Sequence, residues 1–266
     1  MRAMSAHVPL NHAEIVDDVA AGIERGVQMF HLHARDATQQ QTSDPEPYGR
    51  LIESIRKLPG GREAILCVTT SGRNESDVEL RARVLDLDGD MKPDMASLTL
   101  GSLNFAQSAS LNAPDAIRRL AQKMREKNIR PELEVFDLGM AHFAGVLLKE
   151  NLIQGPLYAN VLLGNIAGAQ AEAGHLSSLL NSLPAQCFIA VAGIGRQQLQ
   201  ANMLGLLLAD GIRIGLEDNL WLDSARQTLA TNTGLIDRIL RIAHELERPL
   251  LTCTALRKQL DLDNAK

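Results

Sequence analysis

Seven short apolar runs recur along this chain, at residues 27–33, 64–70, 95–101, 131–136, 157–164, 187–193 and 212–217, with helix-like stretches between them. Runs with so few polar alternations suit strands buried on both faces, the condition of a parallel sheet covered by helices. Alternating strands and helices leave two architectures, a doubly wound open sheet or a closed (β/α)8 barrel. Polar residues at the carboxyl ends of nearly every predicted strand, and no GxGxxG after the first, favour the barrel. The expected fold class is α/β, a TIM (β/α)8-type barrel, in a single domain over residues 1–266. The chain opens with a helix, so the strand that should precede it is missing. Residues 1–8 form a degenerate first strand, or the barrel is incomplete, or the chain starts late.

The helices carry their own punctuation. The first begins after Asn11, a good N-cap with Glu14 three residues on, places Ile15, Val19 and Ile23 on one face and ends at Gly26. Another has Pro114 and Asp115 in its first turn and an apolar stripe of Ile117, Leu120, Ala121 and Met124. A late one is expected to bury Leu235, Ile236, Ile239, Ile242 and Leu246.

Composition excludes several partners. With 45% hydrophobic residues, 22% charged and a net charge of −5, the chain has no basic footprint for nucleic acid. No apolar stretch is long enough for a membrane span, and the N-terminal residues lack the apolar middle of a secretion signal, so a cytoplasmic protein is expected. Cys67, Cys187 and Cys253 are odd in number and widely separated, and read as reduced packing residues.

The chemistry centres on His31 and His33. Alternate residues of a strand share a face, so both imidazoles point one way while Phe30, Leu32 and Ala34 point the other. Two converging imidazoles suit a divalent metal, zinc by default, and a catalytic zinc site needs a third protein ligand. On the last predicted strand Ile212, Ile214 and Leu216 turn toward the helices, so Arg213, Gly215 and Glu217 face inward. Barrel closure places that strand beside the first, which makes His31, His33 and Glu217 a His₂Glu metal site with Asp218 beside it as a general base. Arg213 lies four residues, roughly 13 Å, back along an extended strand. It is therefore expected deeper, in a buried ion pair. Arg35 and Asp36 are expected to form a loop pair that orients a ligating histidine. His142, His175 and His244 fall on predicted helices, at the surface or at caps.

The motifs HLHARD (31–36), VTTSGR (68–73), KPDMASLTLGSLNF (92–105), PELEVFDLGM (131–140), VAGIGR (191–196) and IRIGLEDNLW (212–221) stand in this order. In them the chain resembles the β-keto acid cleavage enzymes, of the 3-keto-5-aminohexanoate cleavage type, from about residue 8 to its end. The resemblance implies a zinc-dependent barrel that condenses a β-keto acid with acetyl-CoA, giving acetoacetate and the CoA thioester of the shortened acid. By the same resemblance His31, His33 and Glu217 are zinc ligands, and Asp218 with Arg213 the catalytic pair. Thr69 stands where the type enzyme has a serine near the substrate, and Glu134 and Asn104 match further polar pocket positions. Glu134 has an equal claim as an inner-barrel partner of an arginine. Gly193, Gly195 and Arg196 form the glycine turn expected to take the phosphates of acetyl-CoA on backbone amides.

The family's first strand ends in a Thr-Gly-rich turn with a site carboxylate, and nothing upstream of His7 corresponds to it. Glu14 falls in the opening helix and cannot replace that carboxylate, so an open pocket wall and unpaired strand edges are expected. Two rival readings are a zinc hydrolase of the amidohydrolase type and a barrel that binds metal without turnover. The hydrolase fits less well, because it wants further histidines on middle strands. The loop at residues 165–174 carries no fixed charge before Glu172, which points to an uncharged or apolar substrate side chain. Exposed helices and an open edge point to a homo-oligomer, a dimer or tetramer.

Overall fold

The computed structural model describes residues 4–263. The chain begins with α1 (His12–Glu24), β1 (Met29–Leu32), α2 (Pro45–Arg56), β2 (Ile65–Val68), α3 (Val78–Ala82) and β3 (Met95–Thr99). A short hairpin of β4 (Leu103–Asn104) and β5 (Ala109–Ser110) leads to α4 (Pro114–Glu126), β6 (Arg130–Val135), α5 (Leu138–Lys149) and β7 (Leu157–Leu163). Then come α6 (Ala173–Ser182), β8 (Cys187–Gly193), α7 (Gln198–Leu208), β9 (Gly211–Ile212), α8 (Asn232–Glu245) and α9 (Cys253–Gln259). None of these helices is long and apolar enough to cross a membrane.

Seven strands pair in parallel in the order β1-β2-β3-β6-β7-β8-β9. The sheet curls until the ends of its two edge strands meet: His33, just beyond β1, lies 3.0 Å from Glu217, beyond β9. β1 and β9 do not pair, and described residues 4–10 form turns rather than a strand. Among the described residues no strand precedes α1, so residues 4–8 do not form a degenerate first strand.

The helical layer nevertheless closes over the gap, because α1 packs against α8. Asn232 Nδ2 donates to Asp18 Oδ2 at 2.6 Å, and Arg25 pairs with Asp237 at 2.8 Å. With no strand beneath them, Ile15 and Val19 of α1 and Ile236 and Leu240 of α8 line a cavity of ≈ 1630 Å³ that continues into the barrel mouth. α8 buries Leu235, Ile239 and Ala243; Ile236 and Ile242 are half-buried. Leu246, expected inside, is 40% exposed, because the helix has already ended at Glu245.

Local signals explain the other elements. Asn11 accepts from the Glu14 amide at 3.0 Å to start α1, Glu14 Oε2 accepts from the Leu10 amide, and Gly26 at φ +79° ends the segment in a conformation only glycine adopts freely. α4 buries the predicted Ile117, Leu120, Ala121 and Met124. Along the strands alternation sorts the faces: Leu66 and Val68 pack outward under the helices, while Ile65 and Cys67 point into the barrel. The lower interior is apolar. Ile65, Met95, Tyr158 and Ala190 meet Leu256 and Leu260 of the α9 segment, which plugs the bottom. Arg257 of α9 pairs with Asp94 at 2.9 Å, and Arg56 reaches the same carboxylate at 2.6 Å. Full burial of Leu260 contributes about 1.5–3 kcal/mol to that docking.

Candidate functional site

β1 delivers His31 into the barrel, and one step beyond its end His33 follows on the same face, their ring centroids 5.0 Å apart. The other side of the site differs from its expected form. The strand predicted at 212–217 ends at Ile212; the Arg213 amide makes one more ladder bond, to Val191 O at 3.0 Å, and the chain then turns. Distant residues impose the turn: Asn232 Oδ1 accepts from the Leu216 amide at 2.9 Å, and Gln198 Nε2 donates to Gly215 O at 3.0 Å. Glu217 and Asp218 thereby fold back over Arg213. Its guanidinium donates to Glu217 Oε2 at 2.8 Å and to Asp218 Oδ2 at 3.2 Å, so the separation expected from an extended strand is overturned.

One ligand atom from each of His31, His33 and Glu217 falls within 4.8 Å of the others, and His33 Nε2 stands 3.0 Å from Glu217 Oε1. A second trio, His31, Cys67 and Glu132, meets the same distance limit. Its chemistry differs. The Cys67 thiol is fully buried and donates to Glu132 Oε2 at 3.2 Å, and burial together with the Glu132 charge pushes its pKa up, so it stays a neutral thiol. The upper trio, with two imidazoles and a half-exposed carboxylate facing the cavity, is the donor set that fits a divalent ion with an open coordination position. Four carboxylates, Glu132, Glu134, Glu217 and Asp218, crowd Arg213, at 3.8, 3.6, 2.8 and 3.2 Å. That excess of negative charge also suits a cation.

The charges shape one another. Burial and Arg213 oppose protonation of His31, but Glu132 and Glu217 outweigh them and hold its pKa up at about 9. Burial works against ionisation of Glu132, yet His31 and Arg213 bring it down to about 2. For Glu217 the protein surroundings disfavour the charge, and His33, then Arg213, overcome this and keep the carboxyl well below its usual range. Asp218 goes the other way. Burial raises it to about 6, with Arg213 opposing and Glu217 adding. Burial and the neighbouring Glu132 charge likewise raise Glu134, whose Oε2 accepts from Thr99 Oγ1 at 2.6 Å. Two carboxylates pushed apart in this way are an arrangement that acid-base chemistry exploits.

The remaining expected positions divide. Thr69 and Glu134 stand on the cavity wall, Thr69 Oγ1 accepting from the Ser71 amide at 3.1 Å. Asn104 does not. In the β4–β5 hairpin alternation turns Leu103 inward and Asn104 outward, exposed, with its carbonyl accepting from Asn165 Nδ2. Gly193 is also off the cavity; a Cβ there would sit 2.5 Å from Gln198 Cα, so its role is close packing of β8 on α7. Gly195 and Arg196 do line the cavity. The Gly195 amide, however, donates to Asp218 O at 2.8 Å and the Ile194 amide to Leu163 O at 2.8 Å, so these two amides hold the Asp218 turn and the sheet rather than face a phosphate. The proposed orienting role of Asp36 is corrected as well, because its carboxylate closes its own loop onto Thr38 and Gln40. The groups behind the histidines are Glu132, 2.7 Å from His31 Nδ1, and Gln41, 3.3 Å from His33 Nδ1. His142, His175 and His244 are exposed on helices.

Glu132 and Thr99 were missed from the sequence. Both carried a usable signal, since Glu132 shares the inward face of β6 with Glu134 two residues on. Arg73, stacked 4.4 Å over the Phe105 ring on the cavity wall, had none, because its partner lies across the loops.

Comparison with known proteins identifies the family. The family described as beta-keto acid cleavage enzyme matches residues 1–262. The chain is 35% identical over 260 residues to 3-oxoadipate:acetyl-CoA acetyltransferase of Cupriavidus necator, covering 96% of this chain and 88% of that protein. It is 32% identical over 259 residues to 3-keto-5-aminohexanoate cleavage enzyme of Fusobacterium nucleatum, covering 96% and 91%. Among solved structures, the ternary complex of ObcA with a C4-CoA adduct and oxalate superposes with a TM-score of 0.85 at 21% identity, over 97% of this chain and 68% of that one, a likeness of fold. The order of the strands, the carboxylates gathered at their upper ends and a match running nearly end to end place this chain in the beta-keto acid cleavage enzyme family.

Proposed function

We propose that this chain cleaves a β-keto acid against acetyl-CoA, passing the acyl portion of the keto acid to CoA and releasing acetoacetate. The observation that carries the reading is the meeting of His31, His33 and Glu217, from opposite ends of the chain, directly beside the buried Asp218–Arg213 pair. The names of the relatives support acetyl-CoA as the second substrate. When bound by those three residues, zinc would supply Lewis-acid polarisation of a substrate carbonyl.

The protein's own groups do the rest. Asp218, 8% exposed and held at its Oδ2 by Arg213 Nε, is raised to about 6, so near neutral pH it is ionised yet basic enough to take a proton from the activated carbon. Arg213 keeps that carboxylate aimed at the cavity and balances charge developing beside it. Thr69 offers a hydroxyl on the wall, and Glu134, restrained by Thr99 and Arg213, a second carboxyl. The loop at 165–174 contributes Ile166 to the same cavity, and Arg73 adds a positive charge, which supports an uncharged or anionic side chain over a cationic one. Exposed Leu199, Leu207 and Leu208 on α7 support self-association. Three free cysteines support a reducing compartment such as the cytoplasm.

The test is turnover by the zinc-loaded protein with acetyl-CoA and a panel of β-keto acids bearing dicarboxylic, apolar and cationic side chains. Acetyl-CoA-dependent formation of a new acyl-CoA together with acetoacetate is expected, slowest for the cationic member. Stoichiometric zinc with no thioester from any member would leave a metal-binding barrel without turnover. Hydrolysis independent of acetyl-CoA would favour the hydrolase reading instead.

A further inference from the structure

One buried acid has no part in the chemistry above. Glu132 sits at the middle of β6 with its side chain 2% exposed, beneath the metal-binding trio rather than in it. Both its oxygens are engaged. Oε2 lies 2.7 Å from His31 Nδ1 and accepts from Cys67 Sγ at 3.2 Å; Oε1 accepts from Asn160 Nδ2 at 3.1 Å and stands 3.8 Å from Arg213 Nη1. A carboxylate so placed can only accept, so the His31 nitrogen facing it must carry a proton.

We infer that Glu132 is the positioning residue of the metal centre: it locks His31 with Nδ1 protonated and presents Nε2 to an ion shared with His33 and Glu217. The inference rests on the metal reading above. An imidazole has two nitrogens, and with Nδ1 donated to Glu132 only Nε2 remains for a cation. His33 is held differently. Behind it stands Gln41, a neutral amide at 3.3 Å that follows the strand in a loop, whereas Glu132 is built into the sheet. His31 is thus the anchored ligand and His33 the adjustable one. Glu132 itself is no ligand, since its oxygens are already taken, and neither is Cys67, a neutral thiol that donates to it.

The isosteric variant E132Q suits the test because the barrel can absorb it. Asn160 Oδ1 is buried without a hydrogen-bond partner, so a flip of the Asn160 amide lets it accept from the new Gln N–H while the Gln oxygen still faces His31. Metal-free wild type, E132Q and C67S would be titrated with zinc against a chromophoric chelator, and ¹⁵N NMR would read the His31 ring in each. E132Q is expected to bind zinc about 10–100-fold more weakly, the usual cost of losing a carboxylate behind a ligating histidine. C67S is expected to match wild type. In zinc-loaded wild type the His31 proton is expected on Nδ1, a readout that needs no variant to fold. Unchanged zinc affinity in E132Q, a His31 proton on Nε2, or equal loss of zinc in C67S would each overturn the inference. Failure of wild type to bind zinc would sink it together with the metal reading. Zinc binding without β-keto acid turnover would remove only the proposed function.

Discussion

Replacing Arg213 by Met gives the sharpest test of how this site is held together. The guanidinium is 11% exposed and faces four carboxylates at 2.8, 3.2, 3.6 and 3.8 Å, and of the two other basic neighbours His31 touches Glu132 and His33 touches Glu217. Breaking a buried ion pair by removing one partner costs about 3–5 kcal/mol, because the partner charge is left buried and uncompensated. For a chain of this size each kcal/mol moves the melting temperature by roughly 2–4 °C, so metal-free R213M should melt about 6–20 °C below wild type. The pH dependence has a definite sign. Asp218 already titrates near 6 in the folded protein, above the ordinary value near 3.9, so the folded state binds its proton more tightly than the unfolded chain does. Its burial is destabilising above pH 6 and is relieved as the pH falls through 6 toward 4. Without Arg213 the neighbouring acids shift further up, and the gap between variant and wild type should narrow between pH 8 and pH 5. Differential scanning calorimetry in a chelating buffer reads both quantities. A drop below about 2 °C, or a gap that widens in acid, would refute the account of Arg213 as the counter-charge of the cluster.

Three further outcomes follow from the same geometry. G193A places a Cβ 2.5 Å from Gln198 Cα and 2.7 Å from Ala201 Cβ, and should lose about 1–3 kcal/mol in urea unfolding; stability equal to wild type would show that β8 and α7 can part freely. D94N leaves Arg56 and Arg257 facing a neutral amide, so hydrogen exchange should speed up in α9 while β8 stays protected, and uniform exchange across both would mean α9 is not a separate plug. N104A should leave kcat/KM for any β-keto acid substrate unchanged, because Asn104 points away from the cavity; a clear loss would restore its place in the pocket.

Much of this arrangement was legible along the chain because strand alternation is a local property. The seven apolar runs became the seven strands of the sheet, the 187–193 run as β8, and the α4 stripe matched residue for residue. His31 and His33 share a face for the same reason. Where reading failed, a distant partner had overruled the local pattern. Ile212, Ile214 and Leu216 continue the alternation of a strand, yet Asn232 and Gln198, from two other helices, bend residues 213–218 out of the sheet. In the β4–β5 hairpin, strands of two residues are too short to leave a period. The glycine turn at 193–195 looked like a phosphate cradle until its amides were found bonded to Leu163 and Asp218.

By itself the sequence determined the strand and helix order, the inward side chains and the candidacy of His31, His33 and Glu217, since these follow from periodicity and from which residue types bind cations. Only the tertiary structure decided what each carboxylate does. Glu132, Glu134, Glu217 and Asp218 are chemically near-identical in the unfolded chain, and their differing pKa values arise from burial and from distances to Arg213, His31 and His33 that exist only once the sheet has curled. The open slot between β1 and β9 was expected from the missing first strand, but the closing of α1 and α8 over it depends on their approach in space and leaves no mark on either helix alone.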